Sequence, residues 1–214
     1  MTILETISKT IPGCNSTKIQ HSYKGFNFFD TYSQYFSKVR DGNLKLLEIG
    51  VDTGASLRLW KNYLPNSNIY GLDIDHACKK YEEDRIKIFI GGQTDNSILN
   101  EVIKEGPYDA IIDDGSHVNK FTIETFNKLF PHVTSKGLYV IEDLHCCYEL
   151  LEDLNVRKIW PGMSYSPSVN LNNNPQDFKD WIWRIFDDQN NPHNQKGDIL
   201  SLQLWPKICF IIKV

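Results

Sequence analysis

Short apolar runs rich in Ile, Leu and Val recur at 46–50, 69–73, 86–90, 109–113 and 137–142, and the stretches between them carry apolar residues at helical spacing. After Gly54, the residues Leu57, Trp60 and Leu64 fall at i, i+3 and i+7. Ile123, Phe126 and Phe130 repeat that spacing after the fourth run, so both stretches predict amphipathic helices. Strands that alternate with helices imply a mostly parallel sheet covered on both faces, because parallel neighbours need a long crossover and right-handed crossovers dominate. The pattern predicts a doubly wound α/β sandwich.

Three segments lie outside this rhythm. In the first 40 residues, Tyr32, Tyr35, Phe36 and Val39 make one helix face, expected to cover a sheet edge or a pocket. The segment 148–195 carries Pro161, Gly162, Pro167 and the polar run Asn172-Asn173-Asn174-Pro175, then a helix with Phe178, Trp181, Ile182, Ile185 and Phe186. It reads as a lid or substrate-facing insertion, and its aromatic face serves equally to close a pocket or to contact a second copy in a homo-oligomer. The β-rich runs 199–204 and 208–213 flank Trp205-Pro206-Lys207 and predict a terminal antiparallel hairpin. The expected organisation is one domain: a helical cover (1–43), a cofactor-binding core (44–147), the insertion (148–195) and the hairpin (196–214).

Composition narrows the function classes. With 41% hydrophobic and 23% charged residues in 214, the chain fits one globular domain and neither a disordered segment nor a fibre. A formal charge of -4, from 23 Lys+Arg against 27 Asp+Glu, gives no reason to expect nucleic acid or an anionic membrane as partner. No apolar run approaches the roughly 20 residues that span a bilayer, and MTILETISKT lacks a secretory layout, so a soluble, cytoplasmic protein is expected. The five cysteines, Cys14, Cys78, Cys146, Cys147 and Cys209, form no CxxC pair and no zinc-ligand rhythm, which predicts free thiols.

Candidate chemistry begins at the first strand, which ends in Leu47-Glu48-Ile49-Gly50-Val51-Asp52-Thr53-Gly54, an ExGxxxG loop rather than GxGxxG. A dinucleotide loop brings a pyrophosphate onto a helix N-terminus, whereas an acid two residues before the first glycine suits a cationic, phosphate-free ligand. S-adenosylmethionine is such a ligand. The second strand ends in Gly71-Leu72-Asp73-Ile74-Asp75, with Asp73 placed to accept hydrogen bonds from a ribose diol and Asp75 the weaker candidate. A plain tight turn at Gly50 and Gly54, with Asp73 capping a helix, is the competing reading of each residue alone.

The fourth run ends in Ile111-Ile112-Asp113-Asp114-Gly115-Ser116-His117 and the fifth in Tyr139-Val140-Ile141-Glu142-Asp143-Leu144-His145. Adjacent strands lie about 4.8 Å apart, so on neighbouring strands Asp114, Glu142 and Asp143 converge at the carboxyl edge where open α/β sheets bind ligands. Unpaired carboxylates there repel one another, and a divalent cation relieves the repulsion; an all-oxygen set suits Mg²⁺. A hydroxyl polarised by Mg²⁺ loses its proton more easily, and His117, three residues from Asp114, is placed to take it before the oxygen attacks the sulfonium methyl. The competing reading makes Asp113 and Asp114 helix caps, pairs Glu142 and Asp143 with Lys or Arg, and leaves His117 at the surface.

From ExGxxxG to the hairpin the chain resembles class I S-adenosylmethionine-dependent methyltransferases. That resemblance implies a Rossmann-like seven-stranded sheet of order 3-2-1-4-5-7-6 with strand seven antiparallel, and places Gln93, Thr94 and Asp95 near the adenine, where a plain turn and helix cap before Ile98 is the competing reading. With IIDDGSH, VIEDLH, Thr17-Lys18 and His21-Ser22-Tyr23, the chain is similar to the metal-dependent sugar O-methyltransferases of macrolide biosynthesis and to proteins named for cephalosporin hydroxylation. In that family the aspartate of DGSH and both acids of the ED pair bind Mg²⁺ and the histidine of DGSH is the base, implying Asp114, Glu142, Asp143 and His117 here. The same resemblance puts Asp113 on the cofactor side. The implied activity is methyl transfer to a sugar hydroxyl of a small-molecule or glycan acceptor. A catechol-type O-methyltransferase, in which Trp160, Trp181 and Trp183 would line an aromatic pocket rather than pack in the core or lid, and a non-catalytic S-adenosylmethionine-binding protein are the alternatives.

Overall fold

The computed structural model describes residues 1–16, 18, 27–148, 173–190 and 197–214. Seven strands form one sheet: β1 (Lys45–Ile49), β2 (Asn68–Asp73), β3 (Ile86–Ile90), β4 (Tyr108–Asp113), β5 (Val133–Ile141), β6 (Ile199–Trp205) and β7 (Ile208–Lys213). Their spatial order is β3-β2-β1-β4-β5-β7-β6, and β7 runs antiparallel to both of its neighbours while the other pairings are parallel. The doubly wound sheet and the terminal hairpin read from the sequence are therefore observed. β5 begins four residues before the predicted run, because Val133 pairs with Tyr108 before the ladder shifts register.

The helices are α1 (Ile3–Thr10), α2 (Phe28–Phe36), α3 (Ala55–Tyr63), α4 (Asn96–Glu105), α5 (Asn119–Leu129) and α6 (Pro175–Asn190). Side chains alternate along each strand, so one sheet face takes Leu46, Ile69, Ile88, Ile112 and Val140 and the other takes Leu47, Tyr70, Ile111 and Tyr139. α1, α2 and α3 cover the first face, where Tyr32 meets Trp60 edge-on at 5.0 Å and Tyr35 stacks on Phe210 at 4.4 Å. The N-terminal segment is thus a layer of the sandwich. Val39, predicted on the same helix face, lies beyond the end of α2 and is 44% exposed.

α4, α5 and α6 cover the second face. Trp181 of α6 packs edge-on against Phe126 of α5 at 4.9 Å, with Phe178 and Ile185 buried beside it. The helix read as part of an insertion therefore belongs to the sheet's covering layer, and Phe186, predicted on its apolar face, is half-exposed and stacks on Trp183. The rest of the expected insertion, with Trp160, Pro161, Gly162 and Pro167, lies outside the described residues, as do Thr17 and His21-Ser22-Tyr23. Cys14, Cys78, Cys147 and Cys209 are buried free thiols, and no helix among the described residues is long and apolar enough to cross a membrane.

Because Trp181 fills a core position, Trp181→Ala is expected to lower the unfolding free energy by about 3–5 kcal/mol in urea denaturation, whereas Trp183→Ser should stay within about 0.5 kcal/mol. Equal, small effects at both positions would contradict the placement of α6.

Candidate active site

Register explains why the acids meet. Ile49 of β1 pairs with Asp113 of β4, and Asp113 pairs with Ile141 of β5, so the next residues, Gly50, Asp114 and Glu142, stand side by side at the carboxyl edge. The ladder continues through them: Asp114 N–H donates to the Ile49 carbonyl at 2.9 Å and Glu142 N–H to the Asp113 carbonyl at 3.0 Å. Glu48, two residues before Gly50, points to the same face as these acids.

The cation at this point is Lys18. Its ammonium lies 2.7 Å from Asp114 Oδ2, 2.7 Å from Glu142 Oε1 and 3.0 Å from Glu48 Oε1, and its side chain is 2% exposed. The hydroxyl of Tyr32 also donates to Glu142 Oε1, and Ser56 Oγ donates to Glu48 Oε2 at 2.6 Å. Burial works against a charged lysine, but the three carboxylates outweigh it and hold Lys18 well above its ordinary pKa. Burial drives both Glu48 and Glu142 upward, with Asp114 adding repulsion and Lys18 opposing. Tyr32, buried beside the Glu142 charge, is pushed well up and remains a phenol donor. The pairing of Glu142 with a lysine was one of the competing sequence readings, and the structure realises it.

Asp113, on the opposite pleat face, enters a different network. Burial pushes its carboxyl up to about 6 against the opposing pull of Gly115 N–H, which donates to Oδ1 at 3.3 Å. Tyr139 and Gln93 approach the same carboxylate at 3.4 Å. Gln93 accepts from Ser116 N–H at 2.7 Å and donates to Thr125 Oγ1 at 3.1 Å, so it braces the DGSH loop. Its Oε1 lies 2.6 Å from where a Cβ on Gly115 would stand. Asp95 caps α4 through Ser97 N–H.

The glycine loop turns through Gly50 at φ +92° and Gly54 at φ +69°, a region that favours glycine. A Cβ at Gly50 would sit 2.1 Å from the Asp114 carbonyl oxygen, so glycine also lets the β1 and β4 loops touch. Asp73 Oδ2 accepts from Val51 N–H at 2.7 Å and Asp52 N–H at 3.2 Å, which sets its carboxylate at the mouth of the loop. Asp75, the weaker candidate, caps the short 3₁₀ turn that follows.

Beyond the strand ends, Asp114, His117 and Asp143 each bring one ligand atom to within 4.8 Å of the others. His117 Nε2 lies 3.9 Å from Asp143 Oδ2, and His145 Nδ1 lies 3.9 Å from Asp143 Oδ1. The structure thus joins Asp114 and Asp143 to His117, and holds Glu142 through Lys18 and Tyr32. Lys18 and Tyr32 both bond to Oε1 of Glu142. Of the tryptophans suited to an aromatic acceptor, Trp181 is core, Trp183 is surface and Trp160 lies outside the described residues.

Three residues of this site had no assigned role in the sequence reading. Lys18 stood only within a shared motif, Tyr32 only on a helix face, and Asn119 not at all; their partners are more than 20 residues away in sequence.

No protein-family model matches the chain. The demethylmacrocin O-methyltransferase of Streptomyces fradiae is 40% identical over 143 residues, covering 63% of this chain and 33% of that protein. The mycinamicin VI 2''-O-methyltransferase of Micromonospora griseorubida is 36% identical over 171 residues, covering 71% of this chain and 40% of that protein. Among solved structures, the MycE methyltransferase from the mycinamycin biosynthetic pathway, in complex with Mg, SAH and mycinamycin VI, superposes with a TM-score of 0.68 at 32% identity, over 87% of this chain and 49% of that one. A putative caffeoyl-CoA O-methyltransferase from Staphylococcus aureus, at 15% identity and a TM-score of 0.58, shares the fold. The chain therefore has the class I methyltransferase fold. Its relatives are macrolide and tetracenomycin sugar O-methyltransferases, as the DGSH and ED motifs implied, and it spans a third to two fifths of the length of those matched.

Lys18→Met leaves buried acids without their cation and is expected to lower the unfolding free energy by about 3–5 kcal/mol. Guanidinium denaturation checks this, and a loss below about 1 kcal/mol would show that the ion cluster is not formed in solution.

Proposed function

We propose that this chain is an S-adenosylmethionine- and Mg²⁺-dependent O-methyltransferase acting on a sugar hydroxyl of a small-molecule or glycan acceptor. The observation that carries the reading is the convergence of Asp114, His117 and Asp143 beside a buried carboxylate row, in a chain whose relatives methylate sugars.

The donor set fits both groups. Glu48, Asp113, Asp114, Glu142 and Asp143 bring five carboxylates to one sheet edge, where among the described residues Lys18 is the ammonium that Glu48, Asp114 and Glu142 meet, a surplus of negative charge suited to a sulfonium and a divalent cation. Asp114 and Asp143 would hold the metal with Glu142, whose Oε2 is the oxygen not gripped by Lys18 and Tyr32. Glu48, Gly50, Gly54, Asp73, Gln93 and Asp113 would hold the nucleoside and amino-acid parts of the cofactor, with Gln93 acting through the DGSH loop it braces. When bound, S-adenosylmethionine supplies the methyl group and Mg²⁺ lowers the pKa of an alcohol held beside it.

His117 accepts the acceptor hydroxyl's proton through its imidazole, and the Asp143 carboxylate at 3.9 Å stabilises the imidazolium that results. Lys18 and Tyr32 keep Glu142 oriented, and the apolar strands beneath fix the spacing of the acids.

Transfer of labelled methyl to a panel of nucleotide deoxysugars, glycosides and catechols, with Mg²⁺ and again with EDTA, tests the reading. Sugar methylation that disappears with EDTA is expected, and Asp114→Asn should reduce turnover at least about 100-fold while S-adenosylhomocysteine still binds in calorimetry. Transfer that survives EDTA, or full activity in Asp114→Asn, would overturn the metal role; exclusive catechol methylation would overturn the acceptor class.

A further inference from the structure

Two residues of the candidate metal group, His117 and Asp143, hold left-handed backbone conformations, with φ of 55° and 54°. Neither is glycine, and such conformations persist where the surrounding structure determines them. The hydrogen bonds around the two loops converge on one side chain, that of Asn173, which is 2% exposed. Asn173 Nδ2 donates to the His117 carbonyl at 2.8 Å and to the Cys146 carbonyl at 2.9 Å. Its Oδ1 accepts from Asn119 N–H at 2.9 Å. That last donor is in the first turn of α5, where Val118 supplies no side-chain cap, so Asn173 satisfies an N–H that the helix cannot. Asn119 completes the clip by donating through Nδ2 to the carbonyls of Asn174 at 2.9 Å and Cys147 at 3.3 Å.

We propose that Asn173 is a positioning residue for the metal centre: its amide ties the DGSH loop to the ED loop and holds His117 and Asp143 in the backbone conformations that bring their side chains to Asp114. The inference rests on the metal reading above for its purpose, and on the hydrogen bonds alone for its structural content. A carboxamide is suited to the task because it presents two donors and an acceptor in one plane. It bonds to main chain in every case, so it sets the loops without competing for the ligand atoms themselves. Partners that orient metal ligands from outside the coordination sphere have measurable effects on affinity.

Two variants test this. Asn173→Asp keeps an oxygen for Asn119 N–H and removes both donated bonds, and Asn173→Ala removes all three. Hydrogen–deuterium exchange of the wild type and both variants reads the loops without any ligand. Faster exchange is expected at 114–119 and 143–147, with 50–54 of the glycine loop unchanged. Calorimetric titration with Mg²⁺ alone should show affinity weakened by about tenfold or more, while S-adenosylhomocysteine binds as in the wild type. Unchanged exchange in the two loops, or equal acceleration across the whole sheet, would overturn the positioning role. A wild type that binds no Mg²⁺ would refute the proposed function instead, and the exchange comparison would still decide whether Asn173 clips the loops.

Discussion

One buried ammonium holds the carboxyl edge of this sheet together. Lys18 meets acids that follow or end three different strands, Glu48 from β1, Asp114 after β4 and Glu142 after β5, at 2.7 to 3.0 Å. Three carboxylates so placed repel one another strongly when water is excluded, and the geometry persists because the cation and the Tyr32 and Ser56 hydroxyls occupy their lone pairs. Both Lys18 and Tyr32 come from the N-terminal layer. That layer therefore contributes charge as well as apolar cover, and the site is complete only when the beginning of the chain is packed on the sheet.

The pleat divides the remaining labour. Glu48 lies on the face toward α2 and α3, where it pairs and is buried, whereas Asp113 lies on the face toward α5 and is bonded by Gly115 and Tyr139. Asp114 belongs to both arrangements: one oxygen touches Lys18, and the side chain also enters the group with His117 and Asp143. It couples the electrostatics of the core to the open edge where chemistry would occur. Gln93 and Asn173 then fix the backbone of the DGSH loop, one through Ser116 N–H and the other through the His117 carbonyl.

The parts legible in the sequence are those governed by local periodicity. Apolar runs located the five parallel strands and the hairpin, and acids at the ends of two runs located the edge, because a strand that stops at a ligand-binding rim carries its signal in consecutive residues. Lys18 and Asn173 carried no such signal. The Lys18 partners lie 96 and 124 residues away, and Asn173 sits in a polar run whose composition says only that a loop is present. Trp181 was only half legible for a related reason: an amphipathic helix shows that it buries a face, and the sequence does not say against what. The match of Phe126 to Trp181 across two helices settles it.

The charge balance of the edge bears on how binding and folding are linked. Glu48, Asp114 and Glu142 face the Lys18 ammonium, and burial raises Glu48, Asp113 and Glu142 while Lys18 opposes the rise in Glu48 and Glu142. Under the proposed function, a divalent cation held by Asp114, Glu142 and Asp143 would bind their ionised forms, so its affinity would be linked to pH. A phosphate-bearing dinucleotide would be disfavoured at the glycine loop by Asp73, whose carboxylate accepts from Val51 N–H and Asp52 N–H at the mouth of the turn. Gly50 lets the loops that follow β1 and β4 come into contact, and so sets the backbone of Asp114 beside the strand that carries Glu48, whereas Gly54 leaves room for the Tyr81 ring.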